Sequence, residues 1–366
     1  MLTIDLRMYR MSGIGRYLRN LIPFVLPLID ADHIRVIGDA SDLRTADWSK
    51  DPRVELYASD AGIYGLREQA LALTGAFRGT ALLWVPHYSV PLLYPGRLVV
   101  TIHDVCHIAL PESLNSNMKR MYARLLFSNA ARRADAILCD SEFTSQEVQR
   151  FLRVRASKLH VAHLGLDATW NARATPHVEP NAVPYFLFVG NLKPNKNLST
   201  LVKAFRLVMG KIPHRLVIVG KAENMKIVDQ SAVDEAEKLS NRVHLAGEIS
   251  DQRLVEYYRG AEALVFPSLY EGFGLPSLEA MSLGCPVLCS NASSLPEIGG
   301  DAALYFDPRD PSDLAAKLLQ ITQMPELRSH LVQKGLDRVG MFSYETCARQ
   351  TADVLNKILS KPKNHN

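Results

Sequence analysis

Glu271 and Glu279 stand eight positions apart in Glu271-Gly272-Phe273-Gly274-Leu275-Pro276-Ser277-Leu278-Glu279, across a glycine-rich loop that opens a short helix. Pro276 suits a first helical turn, where its missing N–H costs nothing, and Gly284 and Pro286 read as the stop. The spacing predicts a helix from about Leu275 to Leu283, with Glu271 in the loop ahead of it and Glu279 in its first or second turn. Both carboxylates can then face one ligand from different sides. Between them, the backbone amides of Phe273, Gly274 and Leu275 lie where an anionic group is welcome. The plainer alternative is a strand-to-helix turn whose glutamates only complement the helix dipole.

Two further segments carry chemistry. Phe188-Val189-Gly190-Asn191-Leu192-Lys193-Pro194-Asn195-Lys196-Asn197-Leu198 reads as a strand, a glycine, and a loop bringing two lysines to a helix capped by Asn197. A diphosphate needs positive charge and free N–H groups, and such a junction offers both; ordinary surface lysines at a helix start are the alternative. Thr101-Ile102-His103-Asp104 ends a buried strand, where a polar pair at the carboxyl edge projects toward a ligand. Asp104 either orients His103 or caps the following loop. His107, Cys106 and His163 read as packing or supporting residues. Ser12-Gly13-Ile14-Gly15-Arg16-Tyr17 follows the first strand and precedes a helix, but Leu18 stands where a dinucleotide fingerprint needs its third glycine.

These segments need strand ends to hold them. Apolar runs recur at Leu2 to Leu6, Ile34 to Ile37, Val54 to Tyr57, Leu82 to Val85, Leu98 to Ile102, Ala136 to Leu138 and Leu159 to Val161, separated by helix-period segments. They resume at Tyr185 to Val189, Leu216 to Val219, Val243 to Leu245, Ala263 to Phe266, Val287 to Cys289 and Ala303 to Phe306. The alternation predicts an α/β protein of two tandem Rossmann-like domains, residues 1–173 and 174–343, joined through the polar, proline-bearing stretch Ala172 to Asn181. Tyr344 to Leu359 is helical by pattern. Open sheets of this kind bind ligands at the carboxyl ends of their strands, so two of them facing each other predict a central cleft.

At 366 residues the chain is comfortable for two domains, and 47% hydrophobic against 22% charged residues describes a soluble globular protein. The run Leu21 to Ile29 is too short to span a bilayer, and Met1 leads straight into a strand without a signal peptide. The five cysteines contain no C-x-x-C pair and read as buried thiols of a reducing cytoplasm. A net charge of +4 argues against a dedicated nucleic-acid binder. Lys119, Arg120, Arg124, Arg132 and Arg133 nevertheless cluster in one predicted helix, with Arg150, Arg153, Arg155 and Lys158 soon after. That is either solvated surface or a patch for anionic lipid or an acidic acceptor. Phosphate-loop and His-Glu-x-x-His signatures are absent.

The Glu271-to-Glu279 stretch closely resembles the E-x7-E signature of retaining glycosyltransferases of family four, and the resemblance extends over nearly the whole chain, strongest from Phe188 to Pro308. It implies the GT-B architecture, an acceptor-side first domain, a donor-side second domain, and a C-terminal helix within 344–366 that crosses back to the first. It places Glu271 beside the donor sugar and Glu279 on the nucleotide ribose, with His103 against the sugar. It assigns the donor phosphates to Lys196, to Lys193 as substitute for the usual basic residue after Gly190, and to the glycine loop of Gly13 and Gly15. Ser294 to Pro308 receives structural work. No cofactor or metal is implied. The partners implied are a nucleotide-diphosphate sugar and a glycan or lipid-linked acceptor. Ser-Gly-Ile-Gly-Arg-Tyr with Thr-Ile-His-Asp is similar to bacterial enzymes adding mannose to surface polysaccharides, favouring GDP-mannose; UDP-sugar and deoxy-sugar donors stay open. So do a nucleotide-sugar 2-epimerase and a non-catalytic sugar-nucleotide-binding subunit.

Overall fold

The computed structural model describes residues 1–11, 13–92, 94–110, 114, 116–170, 183–220 and 228–362. The expected linker Ala172 to Asn181, and Ser12 of the first glycine segment, lie outside the described residues. The chain divides into two compact units: residues 1–109, 116–165 and 343–366 form one, and 110–115 with 166–342 form the other.

The first unit is built on a seven-stranded sheet of β1 (Leu2–Asp5), β2 (Ile34–Gly38), β3 (Val54–Ala58), β4 (Leu82–Val85), β5 (Arg97–Ile102), β6 (Ala136–Cys139) and β7 (Leu159–Val161). The second carries a six-stranded sheet of β8 (Tyr185–Val189), β9 (Arg215–Val219), β10 (Val243–Gly247), β11 (Ala263–Phe266), β12 (Val287–Ser290) and β13 (Ala303–Phe306). Every pairing is parallel, in the orders β3-β2-β1-β4-β5-β6-β7 and β10-β9-β8-β11-β12-β13. Each order reverses once, between β1 and β4 and between β8 and β11. These are the two switch points where connections leave to opposite sides and a crevice opens. Central strands β1, β4, β6, β11 and β12 are buried at every residue, as parallel strands must be when helices cover both faces.

The first unit is discontinuous. The helix Tyr344–Leu359 lies along the helix Gly13–Val25, and Asn356 closes the contact by accepting from Asp30 N at 2.9 Å and donating to Leu28 O at 2.9 Å. Close passage of the chain also requires Gly165, where a Cβ would stand 2.2 Å from Tyr344 N. The unit ends at Gly165, ahead of the 173/174 division read from the sequence. Trp170 is the reason: it is 1% exposed and packs edge-on against Tyr258 of the second unit at 5.8 Å.

In the second unit Phe186, Phe188, Phe205, Val265, Leu288 and Phe306 anchor one core between the sheet and the helices Leu198–Val208 and Pro311–Gln323. Cys139, Cys285, Cys289 and Cys347 are buried free thiols; desolvation pushes Cys285 up to about 12, so it is inert as a thiolate. Among the described residues, no helix is long and apolar enough to cross a membrane.

Candidate active site

The second unit gathers its candidate residues at the carboxyl ends of its strands, across the β8/β11 switch point. From β8 the chain passes Gly190 and a tight turn, Pro194–Lys196, before the helix Leu198–Val208. From β11 it passes to Glu271. Lys196 Nζ and Glu271 Oε1 meet at 2.5 Å, with the side chains 18% and 13% exposed, and the ammonium also lies 5.6 Å from the Phe266 ring centre. Partial burial strengthens such a pair relative to one on the surface.

The supports of this pair are backbone-directed and mostly invisible in sequence order. Asn197 is not the helix cap expected of it. It stands in the left-handed region at φ 57°, and its side chain makes no capping bond. Its amide instead donates to Pro267 O at 3.0 Å and Pro308 O at 2.7 Å, tying the lysine turn to the loops after β11 and β13. Leu269 N donates to Asn195 O at 2.8 Å. On the other side Glu271 N donates to Ser293 Oγ at 3.1 Å, and Ser294 Oγ donates to Glu271 O at 3.0 Å and Phe273 O at 2.8 Å. Ser293, like Asn197, is left-handed, at φ 57°. Two non-glycine residues in the left-handed region thus flank one ion pair, a placement that makes the pair a candidate for function.

The helix Leu275–Ser282 begins where the spacing predicts, with Pro276 in its first turn. Gly274 is required there, at φ 109° and with Leu295 Cδ2 only 2.7 Å from any Cβ. Leu275 opens the helix, and Phe273 packs edge-on against Phe342 at 5.8 Å. Glu279 lies in the second turn, 2% exposed, and its Oε2 accepts from Tyr258 Oη at 2.9 Å. A buried carboxylate held by a phenol is ready to accept hydroxyl protons in a fixed direction. Gly190 is approached by Gly220, where a Cβ would fall 1.9 Å from Gly190 O; the loop after β8 therefore needs glycine on its neighbour too. Lys193 is exposed, and its ammonium makes no hydrogen bond or ion pair among the described residues.

In the first unit, His103 follows β5 and finds its partners on the two adjacent strand ends. Nδ1 is 2.7 Å from Asp140 Oδ2, after β6, and Nε2 is 3.0 Å from Pro86 O, after β4. Both partners are acceptors, which favours the doubly protonated ring over a neutral one with a lone pair for base catalysis. Burial pulls its pKa down, but the Asp140 charge and hydrogen bond, with the Pro86 carbonyl, outweigh it and hold His103 above its ordinary 6.5. Asp104 takes the second of its two expected roles: Oδ1 accepts from Cys106 N at 2.8 Å and caps the next turn.

Gly13 and Gly15 lie in the first turn of the helix Gly13–Val25 rather than in a loop before it. Gly15 is required by the Met8–Tyr9 backbone, with Tyr9 O 2.5 Å from any Cβ, while Gly13 meets open space. The segment reaches His103 through Tyr17, whose ring lies edge-on at 4.8 Å. His107 Nδ1 pairs with Tyr88 Oη at 3.0 Å. Asp140, Tyr258 and Ser293 are absent from the sequence-based set. Asp140 was findable, because a polar residue directly after a buried strand is the signal that singled out His103.

A glycosyltransferase model described as "Glycosyl transferases group 1" matches residues 173–338, and one described as "Glycosyltransferase Family 4" matches residues 76–170. The chain is thus a glycosyltransferase similar to those of family four. This transferase is 29% identical over 371 residues to O-antigen chain mannosyltransferase B of Escherichia coli, covering 94% of the chain and 95% of that protein. It is 27% identical over 289 residues to the MMP alpha-(1->4)-mannosyltransferase of Mycolicibacterium hassiacum, covering 77% and 69%. Its fold is that of sucrose-phosphate synthase from Thermosynechococcus elongatus, at TM-score 0.75 and 21% identity over 98% and 99% of the two chains. The transferase thus has the two-Rossmann GT-B fold, and it is a glycosyltransferase.

Proposed function

We propose that the transferase moves mannose from GDP-mannose, with retained anomeric configuration, to a glycan or lipid-linked acceptor of surface polysaccharide, in the cytoplasm at the inner face of the plasma membrane. The observation that carries this is the Lys196–Glu271 contact. Two residues singled out separately, one for the donor phosphates and one for the donor sugar, meet at 2.5 Å across the switch point of the second sheet. The names of the mannosyltransferase relatives support the choice of sugar.

In this reading Glu279 holds the ribose hydroxyls, its carboxylate fixed by Tyr258. Lys196 and Lys193 stabilise the charge that develops on the leaving nucleotide diphosphate, together with the amides at Gly274 and Leu275. Those fixed charges replace a divalent cation. The acceptor hydroxyl forms its bond to the anomeric carbon on the face from which the diphosphate departs, and its proton passes to the departing phosphate oxygen. Glu271 orients the sugar and Lys196 at once. His103 enters as a positioned cation at the sugar, not as a base.

The test is incubation with a panel of GDP-, UDP- and deoxy-sugar nucleotides and an oligosaccharide acceptor, following released nucleotide and the anomeric coupling of the product. Transfer from GDP-mannose with retention is the expected result. Inversion, or a free epimerised nucleotide sugar, overturns it.

A further inference from the structure

The loop after β3 carries a tyrosine where a glycine is the usual residue. Tyr64 stands at φ 64°, in the left-handed region that bulky residues rarely enter, while Gly62 and Gly65 beside it stay outside that region. A buried charge network holds the loop there. Glu68, on the helix Leu66–Ala70, accepts at Oε2 from Tyr64 N at 2.8 Å and from Ser89 Oγ at 2.6 Å. Its Oε1 accepts from Arg7 Nη2 at 2.9 Å, and the same nitrogen lies 2.6 Å from Asp5 Oδ2 at the end of β1. Arg7 Nη1 donates to Ala61 O at 3.2 Å, so the loop is tied at both Ala61 and Tyr64. The network thus sits at the β1/β4 switch point of the first sheet.

Three rings run outward from the core at this point. Phe127 stacks on Tyr88 at 3.8 Å with the rings 19° apart, and Tyr64 lies 5.6 Å from Tyr88 at 35°. Phe127 is fully buried, Tyr88 half-buried, and Tyr64 40% exposed. The turn that carries Tyr88 is fixed by the buried His87, whose Nδ1 accepts from Ser89 N at 3.0 Å. Burial, with the nearby Glu68 and Asp104 carboxylates, raises the pKa of both phenols, so each hydroxyl keeps its proton. Asp104 is the residue after His103. An exposed ring, two phenol hydroxyls and a carboxylate therefore gather beside the strand end that carries His103. Core packing accounts for Phe127 and Tyr88, but not for an exposed ring on a left-handed residue anchored to a buried carboxylate.

We propose that Tyr64 stacks on a pyranose ring of the acceptor glycan, whose hydroxyls are bound by the Tyr64 and Tyr88 phenols and the Asp104 carboxylate. This assignment rests on the reading of the acceptor as a glycan given above and names the residues that recognise it. A pyranose presents an apolar C–H face bordered by hydroxyls, and an exposed ring bordered by donors and an acceptor is its complement. An alkyl chain has no use for those polar groups. A nucleotide stacked on the same ring would bring its phosphates toward Asp104, a like charge.

The experiment is saturation-transfer NMR of the full chain with methyl α-mannoside, methyl α-glucoside, methyl β-galactoside and methyl β-N-acetylglucosaminide, each at millimolar concentration. The expected result is transfer to the ring protons of at least one glycoside. Glycine is at ease at φ 64°, so Tyr64→Gly removes the ring without straining the backbone, and affinity for that glycoside is expected to fall roughly 3- to 10-fold. Tyr64→Phe keeps the ring and is expected to stay within about twofold of the unaltered protein. No transfer to any glycoside in the unaltered protein, an affinity untouched by Tyr64→Gly, or an equal loss in Tyr64→Phe overturns the proposal. Calorimetric titration of the same samples with GDP and UDP needs no glycoside and reports separately on the donor side. A loss of nucleotide affinity in Tyr64→Gly with glycoside binding unaltered gives the ring to a nucleobase and also overturns the proposal. Glycoside binding by a protein that binds neither nucleotide leaves this subsite standing and removes the transfer reading.

Discussion

Lys196 and Glu271, 75 positions apart, form a 2.5 Å ion pair between the loops that follow β8 and β11. The pair exists because these two strands are neighbours at the switch point, where their loops leave toward opposite faces of the sheet. In the proposed reading, a donor phosphate arriving at Lys196 competes with Glu271 for the ammonium, and the pair then links phosphate binding to the position of the carboxylate.

Lys196→Ala removes a charge-assisted contact worth roughly 1.5 to 3 kcal/mol and is expected to weaken donor binding or turnover about 10- to 100-fold. Glu271→Gln frees the Lys196 ammonium and is expected to tighten nucleotide diphosphate binding by roughly two- to fivefold while transfer falls by roughly 100-fold. Calorimetric titration with the diphosphate and initial rates on both single variants and the double variant decide it. Strict additivity of the two effects would mean that the ion pair has no part in the site.

Glu279→Gln is expected to weaken free nucleotide diphosphate and donor alike, because both carry the ribose. Tyr258→Phe removes the phenol that orients Glu279 and should act in the same direction by about 1 kcal/mol, or roughly fivefold. If Tyr258→Phe changes diphosphate affinity while Glu279→Gln does not, the ribose is held elsewhere.

The His103–Asp140 pair makes stability depend on pH. The folded pKa of His103 is raised, since the Asp140 charge and the two hydrogen bonds outweigh burial. The contribution is therefore complete below the unfolded value near 6.5 and is lost as pH rises through the raised folded value. Asp140→Asn should lower the free energy of unfolding, measured by denaturant titration, more at pH 6 than at pH 9, by about 1 to 3 kcal/mol at the acid end. Equal losses at both pH values would show that His103 does not carry the second proton.

Transfer should continue in excess chelator, because Lys196, Lys193 and the amides at the start of the helix Leu275–Ser282 are expected to replace a divalent ion at the diphosphate. Rates with EDTA, and after adding back magnesium or manganese, measure this. Activity abolished by the chelator and restored by the metal would remove the fixed-charge account.

Gly274→Ala places a Cβ 2.7 Å from Leu295 Cδ2 on a residue at φ 109°. The expected loss is at least about 1 to 3 kcal/mol of stability, read as a lower thermal midpoint, with the turn before Glu279 displaced. An unaffected midpoint and unaffected donor binding would show that the turn adapts without moving the site.

The thirteen strands among the described residues, the helix starting at Leu275 and the placing of Glu271 outside it and Glu279 inside it were all legible in the chain. Each is decided over a few consecutive residues, by apolar runs that bury on both faces and by proline and glycine at helix ends. Asn197 as a clamp rather than a cap, Tyr258 beneath Glu279, and Asp140 and Pro86 on either side of His103 were not legible in that way. The Tyr258–Glu279 contact joins two helices, the others join loops at the ends of different strands, and adjacency at the sheet edge follows strand order, β4-β5-β6 and β8-β11-β12-β13. Gly13 and Gly15 show the same limit from the other side. Their spacing is identical in a loop and in a first helical turn, and only the Met8–Tyr9 backbone against Gly15 decided between them. Local patterns determine which elements form and which residues stand at their ends; which of those ends meet is a property of the assembled sheet.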